Sequence, residues 1–189
     1  MATHTKKTPQ ITRDQIVEEA LALLDETSLT GVTMRVLADR LGIKAASLYW
    51  YFPNKAALAS AMSERLFLRA LERTPDAADW KAWMRGVGRA VWDNLIECPD
   101  SGLLIMSADL SAEQFERTTR AVWNRLAQFD IDQEQAFRLH SGIQALMTGW
   151  VTFAHSPYID RLENLLDIRK AAMETLDAMI EGWAARMDS

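Results

Sequence analysis

The chain has 189 residues, of which 49% are hydrophobic and 25% are charged, and its formal net charge is −5. This balance is typical of a soluble globular protein, and no apolar run reaches the roughly 18 residues that a membrane span needs. The first ten residues lack the apolar core of a secretory signal, and the single cysteine, Cys98, cannot form an internal disulfide. We therefore expect a cytoplasmic protein without a membrane span.

Helical periodicity runs through the N-terminal part of the chain. Thr12 and Gln15 match a capping box at the start of the first predicted helix, which Gly31 ends. Further helices are predicted at 34–41, 45–51 and 55–73.

The remainder of the chain is also helical in pattern, with prolines and capping boxes marking the boundaries. A short apolar piece spans 103–106. Longer helices are predicted at 79–97, 111–129, 132–154 and 161–187. The fold class is therefore all-α, with about nine helices and no sheet.

The segments 34–41, 42–44 and 45–51 have the dimensions of a helix–turn–helix. Ala38 lies where the two short helices must cross closely, and Gly42 can adopt the positive φ that ends a helix. Four apolar side chains are expected to point inward: Leu37, Leu41, Ile43 and Leu48.

Four consecutive aromatic residues, Tyr49 to Phe52, follow in the second helix. They project around the whole circumference of a helix, so some of them must be exposed, whereas Phe52 is expected to join the core. Residues 33–55 also carry four basic side chains against the single acidic Asp39. Exposed aromatic and basic groups together indicate a nucleic-acid surface.

Residues 11–62 resemble the DNA-binding region of TetR-type bacterial repressors. The most specific stretch runs from Leu48 to Phe52 and is followed by Asn54 and Lys55; its Leu-Tyr-Trp version is similar to the tetracycline repressors. The resemblance implies a DNA-binding role for Thr33, Arg35, Lys44, Ala45, Ser47, Tyr49, Trp50, Tyr51 and Lys55. Ala45 and Ala46 offer no amide or guanidinium for base readout, so the operator sequence does not follow from the chain.

The resemblance also implies the organisation of the chain. We expect a flexible arm at 1–10, a DNA-binding domain at 11–57, a connecting helix at 58–75 and an effector-binding and dimerisation domain at 76–189. The implied function is that of a ligand-responsive transcriptional repressor that binds a palindromic double-stranded DNA operator as a homodimer. We expect the helix at 55–73 alone to join the DNA-binding module to the body.

Apolar and aromatic side chains recur at helical spacing along the body. Such stripes usually form a core, but Asn94, His140 and Gln144 lie in or beside them, and buried polar groups need partners. A mostly apolar pocket with a few polar anchors is typical of a small-molecule site. The candidate ligand-binding residues are Trp83, Val87, Asn94, Met106, Trp123, Phe137, His140, Gln144 and Met147.

We expect a small apolar or aromatic effector, bound between the helices at 79–97, 111–129 and 132–154, that releases DNA. No cofactor or metal is predicted. Residues 99–110 contain no histidine that could help to hold a drug-bound metal, which disfavours the tetracycline subtype.

A separate line of small residues on the first of the last two predicted helices, and a comparable line on the second, indicate close helix packing. They are Gly142, Ala145, Gly149 and Thr152 on the first, and Ile168, Ala172, Thr175, Met179 and Gly182 on the second. Two such helices from each of two chains would form a four-helix dimer interface. Packing within one chain is the alternative.

Two other functions agree less well with the sequence. An enzyme is disfavoured because His140 and His155 would lie about 22 Å apart along one helix, and no phosphate loop or nucleophile elbow is present. A helical protein-interaction module without DNA binding would explain the acidic body but not the basic, aromatic helix–turn–helix.

Overall fold

The computed structural model describes residues 11–98, 100–157, 159 and 166–187. Within them it has nine α-helices and a short 3₁₀ turn at Ala127–Phe129: α1 Arg13–Glu26, α2 Met34–Arg40, α3 Ala45–Leu48, α4 Lys55–Arg73, α5 Trp80–Ile96, α6 Ser101–Ser107, α7 Ala112–Leu126, α8 Gln133–Ala154 and α9 Ile168–Met187. The all-α prediction is confirmed. The predicted arm at 1–10 and the predicted helical segment 161–165 lie outside the described residues.

Local capping explains where several of these helices begin. Thr12 Oγ1 accepts a hydrogen bond from the backbone N–H of Gln15 at 3.1 Å, and the Gln15 side chain accepts one from Thr12 N–H at 2.9 Å. The same reciprocal arrangement starts two further helices, with Ser111 and Gln114 before α7 and with Asp132 and Gln135 before α8. Each pair satisfies two backbone donors that the helix itself leaves unpaired.

The N-terminal module packs α1, α2 and α3 against the first half of α4. Its fully buried side chains include Ile16, Leu24, Leu37, Leu48, Phe52 and Leu58. Gly42 has a φ of +65° and lies directly after α2, so the turn of the helix–turn–helix uses the left-handed conformation that glycine adopts most easily. Ala38 is buried at the crossing of the short helices, as predicted.

The body is built around α5, which contacts α4, α8 and α9. Gly88 allows the close approach of α9, because a Cβ atom at this position would lie 2.4 Å from Leu176 Cδ2 of that helix. The long helix α8 also packs against α6 and α7. No helix among the described residues is both long enough and apolar enough to cross a membrane.

Several boundaries differ from those predicted, including the end of α7, which lies at Leu126 rather than at 129. The helix that starts at Ala45 ends at Leu48 rather than at Tyr51, and the chain continues in turns towards Pro53, a residue that disfavours helical conformation before it. The apolar piece at 103–106 is part of a complete short helix, α6. In the last helix, α9 begins at Ile168.

The expectation that the helix at 55–73 alone joins the module to the body was wrong. Asp100, at the N-cap of α6, accepts a hydrogen bond from the backbone N–H of Leu29 through Oδ2 at 2.6 Å. Leu29 lies in the loop between α1 and α2. The module is therefore attached to the body through α6 as well as through α4.

Candidate nucleic-acid interface and ligand cavity

The exposed side of the helix–turn–helix carries two cations and two aromatic side chains. Arg35 lies in the first turn of α2 and Lys44 at the N-cap of α3, and both are exposed. Tyr49 is 51% exposed and Trp50 is 90% exposed, directly after α3. Because an exposed tryptophan leaves a large apolar area in water, it indicates a surface that binds a partner.

The aromatic run divides between surface and core as expected. Phe52 is fully buried, and the guanidinium of Arg13 lies 4.7 Å from its ring centroid. Tyr51 is half-buried, and its hydroxyl donates to the backbone carbonyl of Ile11 at 2.8 Å. Tyr51 therefore positions the start of α1, and Tyr49 and Trp50 are the two members of the run that face outward.

Two further predicted DNA-binding residues have structural partners. Thr33 caps α2, with its hydroxyl accepting a hydrogen bond from Val36 N–H at 3.2 Å. Lys55 donates from Nζ to the backbone carbonyl of Leu29 at 2.7 Å. Ala45 and Ser47 are half-buried on α3. The basic excess of this region is also smaller than the sequence suggests, because Arg40 forms ion pairs with Glu19 and Glu26.

A cavity of about 200 Å³ lies between α4, α6, α7 and α8, and we call it the α8 cavity. Aromatic side chains supply much of its wall: Phe67 from α4, Phe115 from α7 and Phe137 from α8. The last two pack edge to face, with ring centroids 6.0 Å apart. The cavity is smaller than the roughly 300–1,000 Å³ of drug-sized pockets, so it fits a compact molecule.

Three of the nine predicted ligand-binding residues line the α8 cavity: Phe137, His140 and Gln144. The other six do not. Trp83, Val87, Asn94 and Met147 are buried in the core, Trp123 is half-buried on α7, and Met106 is 78% exposed. Asn94 already has internal partners, since its amide donates to the carbonyl of Leu66 at 2.8 Å. The cavity uses α4 and α6 where the sequence pattern suggested α5.

Two polar atoms in residues of this wall have no hydrogen-bond partner within the described part of the chain. They are Nδ1 of His140 and Oε1 of Gln144, both buried. The amide nitrogen of Gln144 donates to Thr148 Oγ1 at 3.0 Å, which leaves its carbonyl oxygen unused. Leaving a buried polar atom unpaired costs about 1–3 kcal/mol, so each is a candidate anchor for a ligand.

Burial lowers the pKa of His140 from 6.5 to about 4. Its ring lies 4.7 Å from that of Phe67, centroid to centroid, in an apolar setting that opposes the charged form. The imidazole is therefore neutral at physiological pH, so it can accept or donate a hydrogen bond but offers no positive charge.

Glu64 is the one carboxylate among the described residues that line the α8 cavity. It is buried, and its two oxygens accept hydrogen bonds from Arg117 at 2.5 Å and from the side-chain amide of Gln114 at 2.9 Å. These partners hold α4 against α7 and compensate the charge. This ion pair, between the buried Glu64 and the exposed Arg117, is therefore structural in this arrangement.

The residues that α4, α6 and α7 contribute to the cavity are not among the predicted ligand-binding residues. Phe67 lies in α4, which was predicted only to connect the two domains. On α6, Ile105 lines the cavity, whereas its neighbour Met106 was the predicted ligand-binding residue. The helical register of 103–106 carries no polar residue that could show which side faces the body. A larger cavity, of about 700 Å³, lies beside α4 and α7, but it is open and mostly polar.

The small-residue lines on α8 and α9 separate into inner and outer positions. A Cβ atom on Gly142 would lie 3.4 Å from Met179 Sδ, so this position serves packing within the chain. Gly149 and Gly182 are exposed, and apart from the adjoining residues and backbone of their own helix no atom of the described residues lies within 4 Å of such a Cβ. The outer positions leave room for close approach by another helix.

The comparisons with known proteins agree with this architecture. Residues 16–62 match the family described as bacterial regulatory proteins, tetR family. The chain is 31% identical to the class A tetracycline repressor from a transposon of Escherichia coli over 137 residues, which are 70% of this chain and 59% of the repressor. It is 31% identical to the class C tetracycline repressor of Escherichia coli over 110 residues, 57% of this chain and 50% of that one. The chain thus spans about half the length of these relatives.

A similar solved structure is that of a TetR variant from Acinetobacter baumannii in complex with minocycline. It superposes with a TM-score of 0.75 at 23% identity, covering 95% of this chain and 99% of the other, and so shows the fold. A helix–turn–helix with exposed cations and aromatics, carried on an all-helical body, is an arrangement typical of DNA-binding regulators. The chain belongs to the tetR family of bacterial regulatory proteins.

Proposed function

We propose that this chain is a ligand-responsive repressor that binds a palindromic DNA operator as a homodimer. The observation that carries the proposal is the outward placement of Arg35, Lys44, Tyr49 and Trp50 on one helix–turn–helix. Cations on this surface would contact phosphates, and the two aromatic side chains would contact the sugar–phosphate backbone and thymine methyl groups. Acting on operator DNA would place the protein in the cytoplasm.

Within this proposal, residues 11–57 bind DNA, 58–75 connect, and 76–189 form the effector-binding and dimerisation domain. The dimer would form through the outer positions of α8 and α9, where Gly149 and Gly182 leave space for a second copy. A two-fold dimer imposes two-fold symmetry on its DNA site.

The effector would bind in the α8 cavity and act through α6. Ile105 of α6 lines this cavity, and Asp100 at the other end of the same helix bonds to Leu29 of the DNA-binding module. A molecule that shifts α6 would therefore shift the module. It changes DNA affinity only if it binds the two arrangements with different affinities.

Selection from a random duplex library, followed by footprinting, tests operator binding. We expect two inverted half-sites about one helical turn apart or a multiple of it. Arg35→Ala with Lys44→Ala should abolish the footprint, whereas Lys170→Ala, an exposed lysine of α9, should leave it unchanged. A lack of salt-sensitive duplex binding would refute the proposal.

Light scattering of the purified protein tests the dimer. Gly149→Glu should shift the molar mass towards that of one chain, because it introduces charge at the proposed interface. Gln133→Glu, at an exposed position near the start of the same helix, is the matched control. A monomeric wild-type protein that still protects a symmetric operator would contradict the interface.

A further inference from the structure

The charged groups of the α8 cavity restrict the charge that its ligand can carry. Among the described residues its wall contains no lysine or arginine, and the charge of Glu64 is already compensated by Arg117 and Gln114. An anionic ligand would meet this carboxylate with no cation on the wall to balance it. A cationic ligand would meet a carboxylate whose charge Arg117 already balances, so its own charge would be buried without compensation. The wall therefore selects for a neutral molecule.

The unpaired polar atoms define what a neutral ligand must offer. Gln144 Oε1 is a carbonyl oxygen and can only accept a hydrogen bond, while the amide nitrogen of this residue donates one of its two hydrogens to Thr148 Oγ1. His140 Nδ1 accepts when the ring proton is on Nε2. The two residues are separated by one helical turn on α8, so their side chains lie side by side on the same face. A ligand that donates hydrogen bonds would satisfy both atoms.

The shape of the wall adds a third requirement. Phe67, Phe115 and Phe137 line the cavity, and the space is about 200 Å³. Flat aromatic molecules pack well against such rings, in stacked or edge-to-face contact. A bicyclic aromatic skeleton is compact enough for a cavity below the drug-sized range.

We infer that the α8 cavity binds a compact, uncharged aromatic molecule bearing hydroxyl or N–H donors, which are received by His140 Nδ1 and Gln144 Oε1. This inference rests on the proposed effector function and specifies its ligand class. The donor groups determine which aromatic molecules bind tightly, because a molecule of the same shape without donors leaves both buried acceptors unpaired.

Three probes with one skeleton test the inference by calorimetry without DNA: a naphthalenediol, its dimethyl ether and naphthoate. We expect the diol to bind at least about tenfold more tightly than the ether, and naphthoate to bind weakest. Equal binding of diol and ether, tightest binding of naphthoate, or no binding by any probe would each overturn it.

Two variants locate the interaction. His140→Phe keeps the ring beside Phe67 but removes the acceptor, and Gln144→Leu removes the carbonyl oxygen. Each should reduce the diol-to-ether affinity ratio towards one, while Gln133→Leu, the same change at an exposed position of α8, should leave it unchanged. Because the ratio compares two ligands on one protein, a loss of stability does not mimic the effect. An unchanged affinity ratio in both folded variants would overturn the assignment. If a variant fails to fold, the three-probe comparison on the wild-type protein still tests the inference.

Operator binding separates this inference from the function on which it rests. If the diol shows the expected preference but leaves DNA affinity unchanged, the ligand class holds and the effector role fails. If a charged molecule binds in the α8 cavity and releases DNA, the effector role holds and the ligand class fails.

Discussion

Asp100 Oδ2 accepts a hydrogen bond from the backbone N–H of Leu29 at 2.6 Å, which joins the body of the molecule to the DNA-binding module. The carbonyl of Leu29 accepts a hydrogen bond from Lys55 Nζ at 2.7 Å. The loop between α1 and α2 is thus held on one side by α6 and on the other by the start of α4. Hydrogen bonds with one charged partner are stronger than neutral ones, so this loop is well anchored.

Replacing Asp100 should release this loop. We expect Asp100→Ala to accelerate hydrogen exchange of the Leu29 amide and to lower the free energy of unfolding by about 1.5–3 kcal/mol, because a charge-assisted hydrogen bond is lost. Asp100→Asn retains an acceptor oxygen and should have a smaller effect. Amide exchange by NMR and urea unfolding measure the two quantities. Unchanged exchange of this amide in Asp100→Ala would show that the bond contributes no protection.

Trp50 and Phe52 should respond oppositely to truncation. Trp50→Ala removes a side chain that is 90% exposed, so we expect stability to change by less than about 0.5 kcal/mol and operator affinity to fall at least about tenfold. Phe52→Ala empties a fully buried position and should cost about 3–5 kcal/mol of stability. Denaturation and DNA titration distinguish the two. If Trp50→Ala destabilises the protein and leaves the affinity of folded molecules intact, Trp50 is not a DNA contact.

Lys55 should contribute one phosphate contact. In the structure it bonds to the carbonyl of Leu29, at the N-terminal end of α4 where the helix dipole also favours an anion. Lys55→Ala should weaken binding to all duplex sequences alike and reduce the dependence of log affinity on log salt by about one unit. Lys170→Ala should leave the slope as it is. If the salt dependence of the affinity is unaltered in Lys55→Ala, this lysine makes no phosphate contact and serves only to bond Leu29.

His140 should make stability depend on pH. Burial lowers its pKa from 6.5 to about 4, so between these values the unfolded chain binds a proton that the folded chain does not. The free energy of unfolding is therefore unaffected above about pH 6.5 and falls by up to about 3 kcal/mol as the pH is lowered towards 4.

Denaturant titrations across this range measure the effect, and His140→Phe should flatten the profile. The pKa of Glu18 is lowered from 4.5, because ion pairs with Arg65 and Arg69 outweigh the opposing effect of burial, so its contribution is lost only below that pH. A slope that persists in His140→Phe between pH 6.5 and 4.5 would assign the dependence to another group.

Cys98 should be inert towards alkylation. The thiol is buried, and burial together with the nearby carboxylate of Asp25 raises its pKa to about 12. Iodoacetamide at neutral pH should therefore leave the native protein unlabelled and modify it after unfolding in urea. Rapid labelling of the native protein would contradict this burial.

Patterns that depend on neighbouring residues predicted the fold well. The capping boxes at Thr12, Ser111 and Asp132 all form, because each needs only a side chain three residues away. The positive φ of Gly42 is likewise local. The end of α3 was placed three residues too late, since helical propensity does not show where an aromatic run leaves the helix.

The cavity was harder to predict because it depends on contacts between distant helices. Asn94 and Gln144 occupy similar places in their apolar stripes, yet Asn94 bonds to the carbonyl of Leu66, whereas Gln144 keeps an unpaired oxygen. Only the packing of α4 against α5 supplies the first partner. A polar residue within an apolar stripe therefore indicates a buried hydrogen bond, and the fold decides whether a ligand can complete it.

The close contact between Gly102 and Thr152 has a consequence for how this protein could evolve. A Cβ atom on Gly102 would lie 2.3 Å from Thr152 Oγ1, so a methyl group here would displace either the Thr152 side chain or α6 itself. Because α6 is only about 10 Å long, a displacement of this helix at Gly102 would also move its opposite end. If α6 couples the α8 cavity to the DNA-binding module as proposed, a substitution that touches neither DNA nor ligand would change this coupling while both recognition surfaces stay intact.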